Sequence, residues 1–247
     1  MMFPPLYHAH HDRNQEDLRF WLSLAEKYGY PVLELGCGTG RVLLPLSEAG
    51  FQPIGLDHDL QMLRYLRSEF GAQARLQPQV VAGDMCAFHF GVQFQLILLP
   101  CNTFSTLEAH QREGCLGCVT RHLRQSGIFA VSMPNPELLA NLPAHSAAEM
   151  EDEFLHPVSG NPVQVSSSWE RRRGRFTVTW IYDHLQPDGE IEHLEVQTRH
   201  HIHSLEAYLG EFREAGLDVI EIYGDYDFSP YREGSPSLII LAARLKY

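Results

Sequence analysis

The chain has 247 residues, 44% of them hydrophobic and 20% charged, with a net charge of −12. That length suits one α/β domain with room for an inserted subdomain, and the composition is that of an ordinary globular protein. No stretch approaches the roughly 18 apolar residues of a membrane span, and the opening Met-Met-Phe-Pro-Pro-Leu-Tyr-His lacks the basic region and apolar core of a secretory signal, so a cytoplasmic protein is expected.

Residues 14 to 28 read as an opening helix, with Asn14 as N-cap and an apolar stripe of Leu18, Trp21, Leu22, Ala25 and Tyr28. Gly29 stops it and Pro31 starts the first strand. A helix over 39 to 49 follows, ending at Gly50 and distorted at Pro45. A second strand covers 52 to 57. A helix over 59 to 70 carries Met62, Leu63 and Leu66, and a third strand at 79 to 82 leads into Gly83-Asp84-Met85. The fourth strand, 94 to 99, is apolar apart from Gln95, as a parallel strand covered on both faces should be. A helix over 107 to 124 and a strand over 127 to 133 continue the alternation. Right-handed crossovers fold such an order into a doubly wound, Rossmann-like sheet.

After Pro134 the helical period gives way to alternation: Val163/Val165, Phe176/Val178/Trp180/Tyr182, then Ile191/His193/Glu195, with Asp188-Gly189 as a hairpin signal. Three or four antiparallel strands are expected within an insertion at 135–203, between a core at 1–134 and its C-terminal part at 204–247. In that last part Ser204 caps a helix to Ala215, and strands at 217 to 223 and 237 to 245 close the sheet.

Lys27 and Lys246 are the only lysines, and the basic cluster Arg171, Arg172, Arg173 and Arg175 reads as a solvated hairpin turn. Nucleic acid, which needs a cationic face, is therefore disfavoured. The five cysteines imply no disulfide framework, and Cys115-x-x-Cys118 has no second pair to complete a zinc site. The clusters His8/His10/His11 and His200/His201/His203 lack the spacing of a dedicated metal centre, and no metal is expected.

Residues 32 to 57 carry the strongest functional signal. A strand runs into Gly36-Cys37-Gly38-Thr39-Gly40, a helix follows, and a second strand ends on Asp57. The glycines let the backbone approach a ligand, the helix start offers unpaired N–H groups, and an acid about 20 residues past the first glycine reaches ribose hydroxyls. The dinucleotide fingerprint fails, because its third glycine is Arg41 here.

Glu34-Leu-Gly-Cys-Gly-Thr-Gly40 closely resembles motif I of the class I S-adenosylmethionine-dependent methyltransferases. The resemblance continues through Gly55-Leu-Asp57, Gly83-Asp-Met85, Leu99-Pro-Cys-Asn-Thr103 and Tyr223-Gly-Asp-Tyr-Asp-Phe-Ser-Pro230, and is to a bacterial small-molecule branch. It implies a seven-stranded sheet with an antiparallel last strand and an insertion covering the substrate. It also implies S-adenosyl-L-methionine as cofactor, and methyl transfer to an O or N atom of a small metabolite by in-line displacement. A protein or RNA methyltransferase and a non-catalytic cofactor binder remain as alternatives; the Asp/Asn-Pro-Pro-aromatic signature of nucleic-acid and glutamine methyltransferases is missing at Pro100-Cys-Asn-Thr.

On this resemblance Gly36, Cys37, Gly38 and Gly40 surround the methionine moiety, with Pro100 near the methyl group. Glu34, buried, supports the glycine loop or a cofactor-bound water. Asp57 takes the ribose hydroxyls, and His58 and Met62 flank the adenine, though Met62 at helical spacing fits a core position equally. Asp84 accepts from the adenine amino group beside Met85, or is an ordinary turn aspartate. Tyr7 resembles an N-terminal aromatic that closes over the cofactor. Asn102 bonds the substrate or merely holds its loop. If a general base is used, His201, His203 and Tyr223 are the candidates, with Asp225 as anchor for an amine.

Overall fold

The computed structural model describes residues 3–13, 15–70 and 78–245; Asn14, the expected N-cap, lies outside them. Apolar runs set the centre of the sheet. β1 (Val32–Leu35) is buried at every position and β4 (Phe94–Leu99) at all but Gln95, and the two pair in parallel. A strand covered on both faces needs apolar side chains above and below. β2 (Ile54–Asp57), β3 (Gln79–Ala82), β5 (Leu123–Pro134), β10 (Leu217–Tyr223) and β11 (Ser237–Arg244) complete a seven-stranded sheet in the order β10-β11-β5-β4-β1-β2-β3. β11 runs antiparallel to both its neighbours, and the other pairings are parallel.

Helices cover both faces. On one side α2 (Leu18–Tyr28) and α3 (Leu43–Glu48) bring Phe20, Trp21, Leu24 and Leu46 against Val32, Leu96 and Leu98. On the other, α5 (Ala109–His122) and α7 (Leu205–Glu214) place Leu116, Val119 and Phe212 against Leu33, Ile97 and Phe129. α4 (Leu60–Phe70) packs Leu63 and Leu66 on Leu43 and Val80.

Several boundaries differ from the sequence expectation for local reasons. α3 starts at Leu43 rather than 39, because residues 36 to 42 are spent on the glycine turn. Pro45 then falls in the first helical turn, where a missing N–H costs nothing. α5 starts later than expected because Glu108 and Gln111 form a capping box. β5 begins at Leu123, opposite Phe94, four residues before the predicted start. Two helices were not expected: α1 (Phe3–His11), whose Leu6 is fully buried, and α6 (Pro136–Asn141), capped by Asn135.

The insertion forms a four-stranded antiparallel sheet: β6 (Glu149–Leu155), β7 (Pro162–Arg172), β8 (Arg175–Leu185) and β9 (Ile191–His201), in chain order. Val163, Val165 and Tyr182 on its inner face pack with Leu6 of α1, and Arg13 after α1 bonds Asp152 of β6 at 2.7 Å. The arginine cluster does lie at the β7–β8 hairpin, where Arg173 and Gly174 both take positive φ. Gly189, at +88°, turns β8 into β9. Among the described residues no helix is long and apolar enough to cross a membrane.

Candidate active site

The tips of β1, β2 and β4 meet at the glycine turn. Gly36, Gly38 and Gly40 have φ of +69°, +53° and +92°, values a side chain strains to reach. The Gly36 and Cys37 N–H groups donate to the Leu56 carbonyl at 2.7 and 3.2 Å, folding the chain over the end of β2. A Cβ at Gly40 would come within 2.7 Å of the end of the Leu66 side chain, which adds crowding to the strain of its +92° φ. At Gly38 a Cβ would meet nothing within 4 Å: the backbone there faces open space. This bare arch is a cradle for a ligand.

Asp57, 8% exposed, closes the arch. Its Oδ2 accepts from the Gly38 N–H at 2.7 Å and its Oδ1 from the Asp59 N–H at 2.8 Å, which fixes the carboxylate at the strand tip. His58 beside it is exposed, with Nδ1 3.8 Å from Asp57 Oδ1. Met62 is buried in α4. Asp84 is exposed and accepts from the Cys86 N–H at 2.8 Å, while Met85 is buried with its methyl beside Gly36.

Glu34 points from β1 to the α2 side and is 2% exposed. It does not accept from the glycine turn as expected, since those donors go to Leu56 and Asp57; its Oε2 has no hydrogen-bond partner among the described residues. Burial pushes its carboxyl up to about 8, with Arg41 opposing the rise. Arg41 itself grips Asp17 with two bonds of 2.6 Å and donates to Cys101 Sγ at 3.0 Å. Asp17 also accepts from Trp21 Nε1 at 2.9 Å.

Next to this network lies a cavity of about 260 Å³ lined by Tyr7, His11, Glu16, Asp17, Arg41, Cys101, Asn102, Tyr226 and Ser237. Cys101 and Asn102 both sit at φ +62°, an uncommon conformation that turns the chain sharply after Pro100 at the end of β4. The Asn102 Oδ1 is sealed from solvent without a donor among the described residues. Burial pushes His11 down to about 3, so its ring is neutral, and raises the hydroxyls of Tyr7 and Tyr226 above the ordinary phenol range. α1 bridges the arch and the second sheet: His8 Nδ1 lies 3.2 Å from the Thr39 hydroxyl, and His10 Nδ1 3.0 Å from the Tyr182 hydroxyl of β8.

Of the residues expected from sequence, Glu34, Gly36, Cys37, Gly38, Gly40, Asp57 and Pro100 converge on the strand tips, and Tyr7 and Asn102 line the cavity. His201, His203, Tyr223 and Asp225 are not among its lining residues. Strand alternation explains the first: His201 is turned to Glu108, 3.6 Å from its Nε2, while its neighbour His200 points inward to the Ser105 hydroxyl at 2.9 Å. His203 meets the Tyr208 ring edge-on instead, with centroids 5.6 Å apart. The Tyr223 hydroxyl bonds Glu221, and the Asp225 carboxylate holds the Tyr226 N–H at 2.7 Å. Sequence reasoning placed Cys101 beside the methyl position without a role, and missed Asp17, Tyr226 and the roles of Arg41 and His11. Arg41 registered only as the residue that breaks the dinucleotide pattern, and Tyr226 sat unremarked beside Asp225. Among the described residues no three His, Cys, Asp or Glu side chains are grouped to hold a metal.

Residues 32–127, which contain the arch, Asp57 and Asp84, match a family model described as a methyltransferase domain. The chain is 24% identical over 224 residues to the cypemycin N-terminal methyltransferase of a Streptomyces species, covering 87% of this chain and 84% of that one. Its structure is similar to an S-adenosylmethionine-dependent methyltransferase from Clostridium acetobutylicum, with TM-score 0.83 at 13% identity over 98% of both chains. It is also similar to the sugar N-methyltransferase KedS8 from Streptoalloteichus sp., with TM-score 0.78 at 16% identity over 99% of this chain and 94% of that one. The second, antiparallel sheet as well as the core is thus part of the shared fold.

Proposed function

We propose that this chain, a class I S-adenosylmethionine-dependent methyltransferase, transfers the methyl group of its cofactor to an amine nitrogen of a small metabolite in the cytoplasm. The character of the cavity beside the glycine arch carries the choice of nitrogen. A hydroxyl acceptor must lose its proton in the site, and the imidazole there, His11, is too weak a base to take it. Tyr7 and Tyr226 hold their protons, Asp17 is committed to Arg41 and Trp21, and carboxylates such as Glu16 are by class weaker bases than imidazole. An amine sheds its proton to water before it enters. The Asn102 amide, which lines the cavity, suits it, because an acceptor atom can hold one N–H and leave the nitrogen lone pair free.

The cofactor residues fit the open arch at Gly38 and the unpartnered Glu34 oxygen. The Gly36–Gly40 backbone and Glu34 hold the amino-acid part, Asp57 the ribose hydroxyls, and Asp84 with Met85 the adenine, which His58 and Met62 flank. When bound, S-adenosylmethionine supplies a methyl group already activated on a sulfonium, with a neutral leaving group. The protein therefore needs chiefly to position the acceptor and exclude water. α1 and the second sheet close the site from above, and Asn102, Tyr7 and Tyr226 orient the amine. The sugar N-methyltransferase KedS8, similar in structure, fits nitrogen over oxygen. A cavity of about 260 Å³ in a protein of charge −12 favours a small acceptor over nucleic acid.

The test is methyl transfer from labelled cofactor to paired amines and alcohols of the same skeleton. Only the amines should accept label, and kcat/KM should rise about tenfold per pH unit up to the amine's own pKa. Faster labelling of the alcohols contradicts the reading.

A further inference from the structure

Glu34 is 2% exposed, its Oε2 lacks a partner among the described residues, and its surroundings oppose ionisation. Asp57 faces it from β2, Asp17 from the segment before α2, Cys37 from the glycine arch and Cys101 from the tip of β4. Arg41 is the cation among these groups, and both its terminal nitrogens are already bonded to Asp17 at 2.6 Å. A buried carboxylate without a charge of its own to pair with is costly, whereas the neutral acid is tolerated. Burial accordingly holds the carboxyl at about 8.

We propose that Glu34 carries a proton in the cofactor-free protein and releases it when the ammonium group of the cofactor's amino-acid part arrives, so that cofactor binding is proton-releasing. This rests on the cofactor assignment above. On binding, the Glu34 O–H bond breaks, the proton passes to solvent, and the carboxylate left behind pairs with the ligand's ammonium; nothing is oxidised or reduced. Glu34 is thus a positioning residue that selects ligands bearing an amino group. Its sign with pH follows from linkage. A group that must lose a proton to bind favours binding as pH rises, by about tenfold per unit below pH 8, and levels off above it.

Titration calorimetry of the full chain with S-adenosylhomocysteine at pH 7, in phosphate and in Tris, reads the proton directly. The two enthalpies should differ by the difference between the two buffers' heats of protonation, multiplied by about one proton per ligand bound. 5′-Methylthioadenosine, which lacks the amino-acid part, should bind with the same enthalpy in both buffers. Glu34→Gln should still bind S-adenosylhomocysteine, with no release and a flat pH profile. Buffer-independent binding of S-adenosylhomocysteine overturns the proposal, as does undiminished release from Glu34→Gln or equal release with methylthioadenosine. Should the variant fail to fold, the two ligands on the unaltered protein decide alone. No binding heat for S-adenosylhomocysteine by any buffer is a different result, which overturns the cofactor assignment as well.

Discussion

Most of the proposed cofactor side comes from one stretch of chain, Glu34 to Met62, in which strand, arch and carboxylate follow one another, with Asp84 and Met85 added from just after β3. The acceptor side is gathered from far apart: Tyr7 and His11 from α1, Asp17 from before α2, Cys101 and Asn102 from after β4, and Tyr226 from the β10–β11 connection. The first half is specified by local backbone conformation. The other half exists only once the core, α1 and the second sheet have assembled. A ligand held by the first can therefore be common to many proteins while the acceptor differs.

Arg41 joins the halves, since it follows the arch and grips Asp17 and Cys101 of the cavity. Arg41→Ala should break both at once. It leaves Asp17 buried without its cation, and urea unfolding should show a loss of about 3–5 kcal/mol. A loss below about 1 kcal/mol would mean that the two halves are stabilised independently. Asp57→Ala should separate them instead. Calorimetry should show S-adenosylhomocysteine bound about 1–3 kcal/mol more weakly, with the acceptor's KM unchanged. The smallest effects draw the acceptor boundary. Tyr226→Phe should lower kcat/KM for an amine by about tenfold with cofactor affinity intact. His203→Ala, outside the cavity lining, should stay within about twofold on both. A reversal of these last two would move the acceptor site to the far side of β9.

The same contrast decides what could be read from the sequence. Apolar runs at β1 and β4, interrupted only by Glu34 and Gln95, state a sheet covered on both faces, and glycines next to them state a turn that strains other residues. Asp57 is legible because its distance from the arch is set by one helix and one strand. His201 was not legible, because which of three nearby histidines faces inward depends on the register of β9, and a shift of one residue reverses it. Tyr226 depends on a connection whose path is fixed by Asp225 bonding the Tyr226 N–H and by Tyr231 bonding Asn135, contacts 96 positions apart in the latter case. α1 forms because Leu6 finds the second sheet, a partner more than 140 residues downstream that periodicity over nine residues cannot announce.

A crystal structure with S-adenosylhomocysteine bound tests the central claim most directly. The account predicts its amino-acid part in the Gly36–Gly40 arch beside Glu34, its ribose on Asp57, and its sulfur facing Asn102 and Tyr226. A sulfur turned away from that cavity, toward His201 or open solvent, would contradict it.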